Sequence, residues 1–170
     1  MYPYHVLDVE TSGFDTEKHD IAELAIITCQ GSKIVDIFHQ YYSVNIMTPE
    51  ASTCNNLTVE KLRYFSPFNT RENISKVQSI LKYPIWAHNA PFDIRFLKKY
   101  FHLNGDIPIK DTLPILRNKN KSKIDKLPNN QLSTWFQYYG ISVQEHTALG
   151  DAFGLYKIIN LEGLFLNGNL

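Results

Sequence analysis

Tyr4-His5-Val6-Leu7-Asp8-Val9-Glu10-Thr11-Ser12-Gly13-Phe14 is the stretch on which the reading of the fold turns. It starts as an apolar run rich in β-formers and ends in a Thr-Ser-Gly turn, so it reads as a buried central strand running out into a loop. Two acids stand at its end. Side chains alternate across a strand, which puts Asp8 and Glu10 on one face, about 7 Å apart along the backbone and near enough to share a cation. The alternative is a strand that has simply reached solvent. That accounts for Glu10, but Asp8 lies among Val6, Leu7 and Val9, where an ionised carboxylate needs compensation. On this stretch alone both readings stand.

The rest of the composition sets bounds. A chain of 170 residues with 44% hydrophobic and 20% charged content is expected to form one soluble globular domain spanning 1–170. No apolar run is long enough to span a bilayer, and the N-terminus lacks the basic start and apolar stretch of a secretory signal, so a cytoplasmic setting with no membrane partner is the expectation. Cys29 and Cys54 have no CxxC spacing, which argues against a zinc ribbon or a redox motif and for buried free thiols. The formal net charge is +0, so a polyanionic partner would be held by a local patch rather than by a global field.

Outward from the first strand, residues 19–27 and 33–38 are two further β-type runs joined by the turn Gln30-Gly31-Ser32, together an antiparallel meander. The stretch 47–51 breaks the pattern at Pro49, and Thr58 caps a short helix through Leu62. Apolar spacing predicts helices over 71–81, 92–101, 132–139 and 148–161, with a short buried strand at Pro84-Ile85-Trp86-Ala87. Strands first, then strands alternating with helices, imply an α/β fold with a mixed sheet flanked by helices. Between the helices at Phe92 and Leu132, the lysine-rich stretch 117–126 reads as a solvated loop, with contact to phosphates as the alternative.

Two helices carry an acid on their apolar stripe. Asp93 lies three and four positions before Phe96 and Leu97, and Asp151 lies four before Leu155 and seven before Ile158. A single inward Asp is commonly a hydrogen-bonded core residue or a cap. Added to Asp8 and Glu10, however, these make four acids directed into apolar surroundings, which would repel one another or take up protons unless divalent cations neutralise them. Oxygen-only ligands select a hard ion, Mg²⁺ or Mn²⁺, and four carboxylates can hold two ions. His146 precedes Asp151 by five residues, an offset of roughly 140° that one helix face does not accommodate. It therefore sits before the helix, with Thr147 as the N-cap, either as a proton acceptor over the acids or as an ordinary exposed histidine.

Together, Asp8-Val9-Glu10-Thr11-Ser12-Gly13, His88-Asn89-Ala90-Pro91-Phe92-Asp93 and His146-Thr147-Ala148-Leu149-Gly150-Asp151 resemble the three exonuclease motifs of the DnaQ-like superfamily, in its DEDDh branch of 3′-to-5′ exonucleases. The short form and the Leu127-Pro128-Asn129-Asn130-Gln131-Leu132 stretch are most similar to the exonuclease X branch. The resemblance implies a ribonuclease H-like fold with a five-stranded mixed sheet. It also implies that Asp8, Glu10, Asp93 and Asp151 hold two Mg²⁺ or Mn²⁺ ions, that His146 is the general base, and that Thr11 and Phe14 hold and wedge apart the terminal nucleotides. Phe92, beside Asp93, is placed to line the nucleotide pocket. Where the family usually has His-Gly, this chain has Asn55-Asn56, a change that touches substrate grip rather than chemistry. The expected substrate is the 3′ end of single-stranded DNA or a frayed duplex, with RNA as the closest alternative. A noncatalytic module that binds nucleic acid or docks onto a polymerase is the alternative of a different class; the short tail 162–170 makes a poor polymerase-docking arm, although Leu164, Phe165 and Leu166 could anchor a partner.

Overall fold

The computed structural model describes residues 2–103 and 107–166. Five strands, β1 (Pro3–Thr11), β2 (Ile21–Gln30), β3 (Lys33–Tyr41), β4 (Ile85–Ala87) and β5 (Ile109–Asp111), form one mixed sheet in the order β3-β2-β1-β4-β5. β1, β2 and β3 pair antiparallel, whereas β4 and β5 run parallel to β1 and to each other. The expected α/β architecture is thus present. The fifth strand escaped the periodicity reading because it is three residues long and none of its side chains is buried.

Strand alternation sorts the side chains of β1 onto two cores. Leu7 and Val9 face one layer with Leu24, Ile26 and Phe38, covered by α3 (Arg71–Ile80) and α4 (Ala90–Lys98) through Val77, Phe96 and Leu97. Tyr4 and Val6 face the other with Ala25, Ile27 and Trp86, covered by α7 (Ala148–Leu161) through Ala148, Ala152, Leu155 and Ile159. Even-numbered positions of β1 therefore look toward α7, and Asp8 and Glu10 share that face.

Several local expectations are corrected. Pro49 does not interrupt the chain. It opens α1 (Pro49–Asn55), whose N-cap Thr48 accepts a hydrogen bond from the Ala51 N–H at 3.1 Å; proline suits a first turn because its missing N–H has no partner there. Half of the lysine-rich stretch is not a loop either. Residues through Lys121 belong to α5 (Thr112–Lys121), capped by Asp111, and the helix was masked because its buried stripe, Thr112, Leu116 and Asn120, is two-thirds polar. Asn120 is buried because its side chain holds the following loop, donating to Leu127 O at 3.1 Å and accepting from Leu127 N at 2.7 Å. Cys29 is buried as expected, but Cys54, on the outer face of α1, is exposed. Leu164 and Phe165 pack against the core, Phe165 stacking on Tyr4 at 6.3 Å, instead of standing free for a partner, and the chain beyond Leu166 lies outside the described residues. The short helix α2 (Val59–Leu62) is capped by Thr58 as expected, and α6 (Leu132–Tyr139) falls on its predicted span. No helix among the described residues is long and apolar enough to cross a membrane.

α7 is held against α6 by a close approach at Gly154, where a β-carbon would overlap the ring of Phe136. Gly154→Ala is expected to destabilise the fold by about 1–3 kcal/mol through overpacking, read as a lower urea midpoint with an unchanged slope.

Candidate active site

Two helix starts converge on the end of β1. Thr147 caps α7 by accepting from the Gly150 N–H at 3.1 Å, which fixes the first turn so that Asp151 projects onto the face of Asp8 and Glu10. One carboxylate oxygen from each of Asp8, Glu10 and Asp151 lies within 4.8 Å of the other two. Asp93, in the first turn of α4, is buried beside them, and its Oδ1 accepts from the Val9 N–H at 3.1 Å. Three of the four expected acids thus form one cluster, and the fourth is locked to the backbone between Asp8 and Glu10.

Such proximity raises the proton affinity of every member. Burial, then the charges of Asp93, Glu10 and Asp151, hold the Asp8 carboxyl well above the ordinary range. Asp93 is likewise raised by burial, against the opposing pull of the Val9 and Asp93 backbone N–H groups. Glu10 is pushed up to about 7 by burial and by Asp151, and Asp151 to about 6 by burial, with His146 acting in the other direction. A fifth acid adds to this field. Glu23 stands directly opposite Glu10 across β1 and β2, is 1% exposed, and accepts from His39 Nε2 at 2.7 Å. The sequence reading missed it because only strand pairing brings it to the site. An all-oxygen donor set that is costly to ionise together fits a hard divalent cation.

His146 sits where the helix offset required, just before α7. Its backbone is left-handed, φ 59°, and its N–H donates to Asp151 Oδ2 at 3.2 Å. The imidazole is exposed, with Nδ1 3.8 Å from Cys54 Sγ on the last turn of α1. The αL conformation of a non-glycine residue is sparsely populated, and the bond to Asp151 is what holds it.

Beside the acids, Glu10, Thr11, Phe14, Asn55 and Phe92 line a cavity of about 180 Å³. The rings of Phe14 and Phe92 meet edge to face at 6.1 Å, and Phe14 remains 68% exposed. Thr11 Oγ1 donates to Gly13 O at 2.8 Å, and a β-carbon at Gly13 would strike the His19 ring, so this turn admits only glycine. One residue behind this wall was not anticipated. Arg95 lies over the Phe92 ring at 4.7 Å while its Nη2 donates to Phe14 O at 2.8 Å, tying the loop after β1 to α4. Asn55, in place of the family's histidine, donates to Thr11 O at 3.3 Å, and Asn56 takes the left-handed helix C-cap at φ 56°, which Asn tolerates better than other side chains. The Asn-Asn pair after a helix-start proline was the available signal for that cap. Nothing local pairs Arg95 with Phe14.

Raised folded-state values mean that, between the unfolded and folded pKa, the folded protein binds more protons than the unfolded one; stability then falls as pH rises. For Glu10 and Asp151 this window runs from about 4 to about 7. Metal-free protein is expected to melt several degrees lower at pH 8 than at pH 5, and Mn²⁺ should reverse much of the loss. Asp8→Asn should raise the metal-free melting temperature at pH 8 and blunt the response to Mn²⁺, as followed by differential scanning fluorimetry.

Comparison with known proteins agrees with this geometry. The model of the RNase_T exonuclease family matches residues 5–159. DNA polymerase III PolC-type of Thermotoga maritima is 30% identical over 154 residues, covering 86% of this chain and 11% of that protein. The 3′-5′ exonuclease DinG of Staphylococcus aureus is 29% identical over 170 residues, covering 95% of this chain and 18% of that one. The chain thus spans less than a fifth of these curated relatives. Among solved structures, E. coli exonuclease I in complex with a dT13 oligonucleotide superposes with a TM-score of 0.82 at 17% identity, over 97% of this chain and 43% of that one. A zinc-bound complex of the same enzyme with single-stranded DNA gives 0.83 over 96% and 41%. With the family model matched from β1 into the last turns of α7 and the fold shared with exonuclease I, this chain belongs to the RNase_T exonuclease family, a DnaQ-like domain of ribonuclease H-like fold.

Proposed function

We propose that the chain is a divalent-metal-dependent 3′-to-5′ exonuclease that hydrolyses the terminal phosphodiester of single-stranded DNA or frayed duplex ends and releases nucleoside 5′-monophosphates. The observation that carries this reading is the convergence of Asp8, Glu10 and Asp151 within 4.8 Å, with His146 bonded to the same Asp151 at the rim. Support comes from two relatives: exonuclease I, solved with oligonucleotides, and DinG, described as a 3′-5′ exonuclease.

Asp8, Glu10 and Asp151, with Asp93 at their back, are the residues that would hold two Mg²⁺ or Mn²⁺ ions. When bound, such ions supply an activated water and neutralise the charge that builds on the phosphodiester. His146 takes the proton of the attacking water, and the carboxylate of Asp151, already bonded to the His146 backbone, faces the imidazolium that results. The exposed ring of Phe14 offers a face to the terminal base, and the half-buried ring of Phe92, against which it packs, lines the cavity beneath. Thr11 Oγ1 has its proton directed at Gly13 O, which leaves an acceptor for the terminal 3′-hydroxyl.

Asp151→Asn keeps an acceptor for the His146 N–H while removing a charge. It should fold with a melting temperature at or above wild type and lose exonuclease activity by about a thousandfold or more, a cost comparable to losing a main electrostatic element of an active site. Wild-type turnover of this variant in Mg²⁺ would exclude the assignment. His146→Gln should lose about 10²–10⁴-fold in kcat and the pH limb near neutrality, with oligonucleotide affinity retained. Parallel assays with DNA and RNA oligonucleotides of one sequence decide the sugar preference.

A further inference from the structure

In the proposed reading the terminal base enters the cavity beside Phe14 and Phe92, and a strand whose scissile phosphate lies at the acids must continue past them. A second cavity, of about 310 Å³, adjoins the first through Cys54 and Asn55 and is lined by His146, Tyr41, Lys61 and Glu145. On its outer side Tyr41 meets Phe65, which is 43% exposed, in a tilted contact at 5.6 Å, and His39 edge to face at 5.0 Å. Next to Phe65, Tyr64 is 81% exposed, and the guanidinium of Arg63 lies 4.5 Å from its ring centre. Tyr64 and Phe65 follow directly on α2 and are exposed, whereas Tyr41 is the last residue of β3 and packs against the small core of Ala22, Val44 and Leu62.

We propose that Arg63, Tyr64 and Phe65, with Tyr41 behind them, are the docking track for the nucleotides upstream of the scissile bond in a single strand. This rests on the exonuclease reading and extends it by naming the surface that holds a long substrate. Three features favour a single strand as the occupant. The track is continuous with the cleft through Tyr41, exposed π-faces accept any unpaired base, and Arg63 offers a planar cation for stacking or for a phosphate. Charge alone does not account for the surface. Lys61 is engaged with Asn56, donating to its backbone O at 2.5 Å and to Oδ1 at 3.1 Å, and Glu60 and Glu145 stand nearby, so stacking supplies most of the grip.

The test compares Arg63→Glu and Tyr64→Ala, both at exposed positions, with wild type on two substrates in Mn²⁺: a dT20 oligonucleotide and the p-nitrophenyl ester of thymidine 5′-monophosphate, which has no upstream nucleotides. Each variant should raise KM for dT20 about tenfold and leave kcat/KM for the ester unchanged, and Arg63→Glu should also flatten the salt dependence of dT20 binding. Equal KM values for dT20 in variants and wild type would overturn the track, as would parallel losses on both substrates. Fluorescence anisotropy with labelled dT20 in EDTA separates the two readings. Tight wild-type binding that Arg63→Glu weakens, without hydrolysis of either substrate, sinks the exonuclease reading and keeps the track. Binding that is absent, or equal in all three proteins, sinks the track.

Discussion

Mutual repulsion among carboxylates at the end of β1 is the constraint to which the rest of the molecule answers. Asp8, Glu10 and Asp151 are brought within 4.8 Å of one another, Asp93 is buried against them and Glu23 faces Glu10 from the next strand. A fold selected for stability alone would separate such groups, because each adds to the cost of ionising the others. Two devices in the chain soften that cost. Asp93 and Asp151 lie in the first turns of α4 and α7, so the positive ends of two helix dipoles and their free N–H groups point toward the cluster. The Val9 and His146 N–H groups add directed hydrogen bonds. What these leave uncompensated is the driving force for binding a cation.

Backbone strain gathers around the same place. The described non-glycine residues with left-handed φ are Asn56, Asn89 and His146, and they stand respectively at the end of α1, immediately before α4 and immediately before α7. Each marks the point where the chain must turn sharply to deliver a side chain: Asn55 to the nucleotide cavity, Asp93 and Asp151 to the acids. Behind two of these turns, α4 and α7 pack on opposite faces of the sheet, so Asn89 is backed by one core and His146 by the other.

The aromatic and cationic side chains divide the same way. Arg95 is spent on fixing the loop that carries Phe14, so the wall of the cavity between Phe14 and Phe92 is shaped by the fold itself. Arg63, by contrast, is exposed and lies over its own neighbour Tyr64, to whose hydroxyl it donates a hydrogen bond. On the proposed function, a chain with a formal net charge of +0 would hold its polyanionic substrate by placing few cations well rather than by many.

The sequence by itself determined which residue types the site would contain. An acid that interrupts an apolar period is a local signal, and Asp8, Asp93 and Asp151 each carry it; the cap at Thr147 and the placement of His146 before its helix follow from one residue's spacing to the next. The tertiary structure alone decided what meets what. Glu23 reaches the site through strand register, Asn55 and Arg95 through the docking of α1 and α4 against one loop, and α5 hides its helix behind a buried Asn120 whose partner lies in the loop that follows. Periodicity records how a segment meets the core, and it is silent on contacts that join segments far apart in the chain, because those depend on the packing of whole elements.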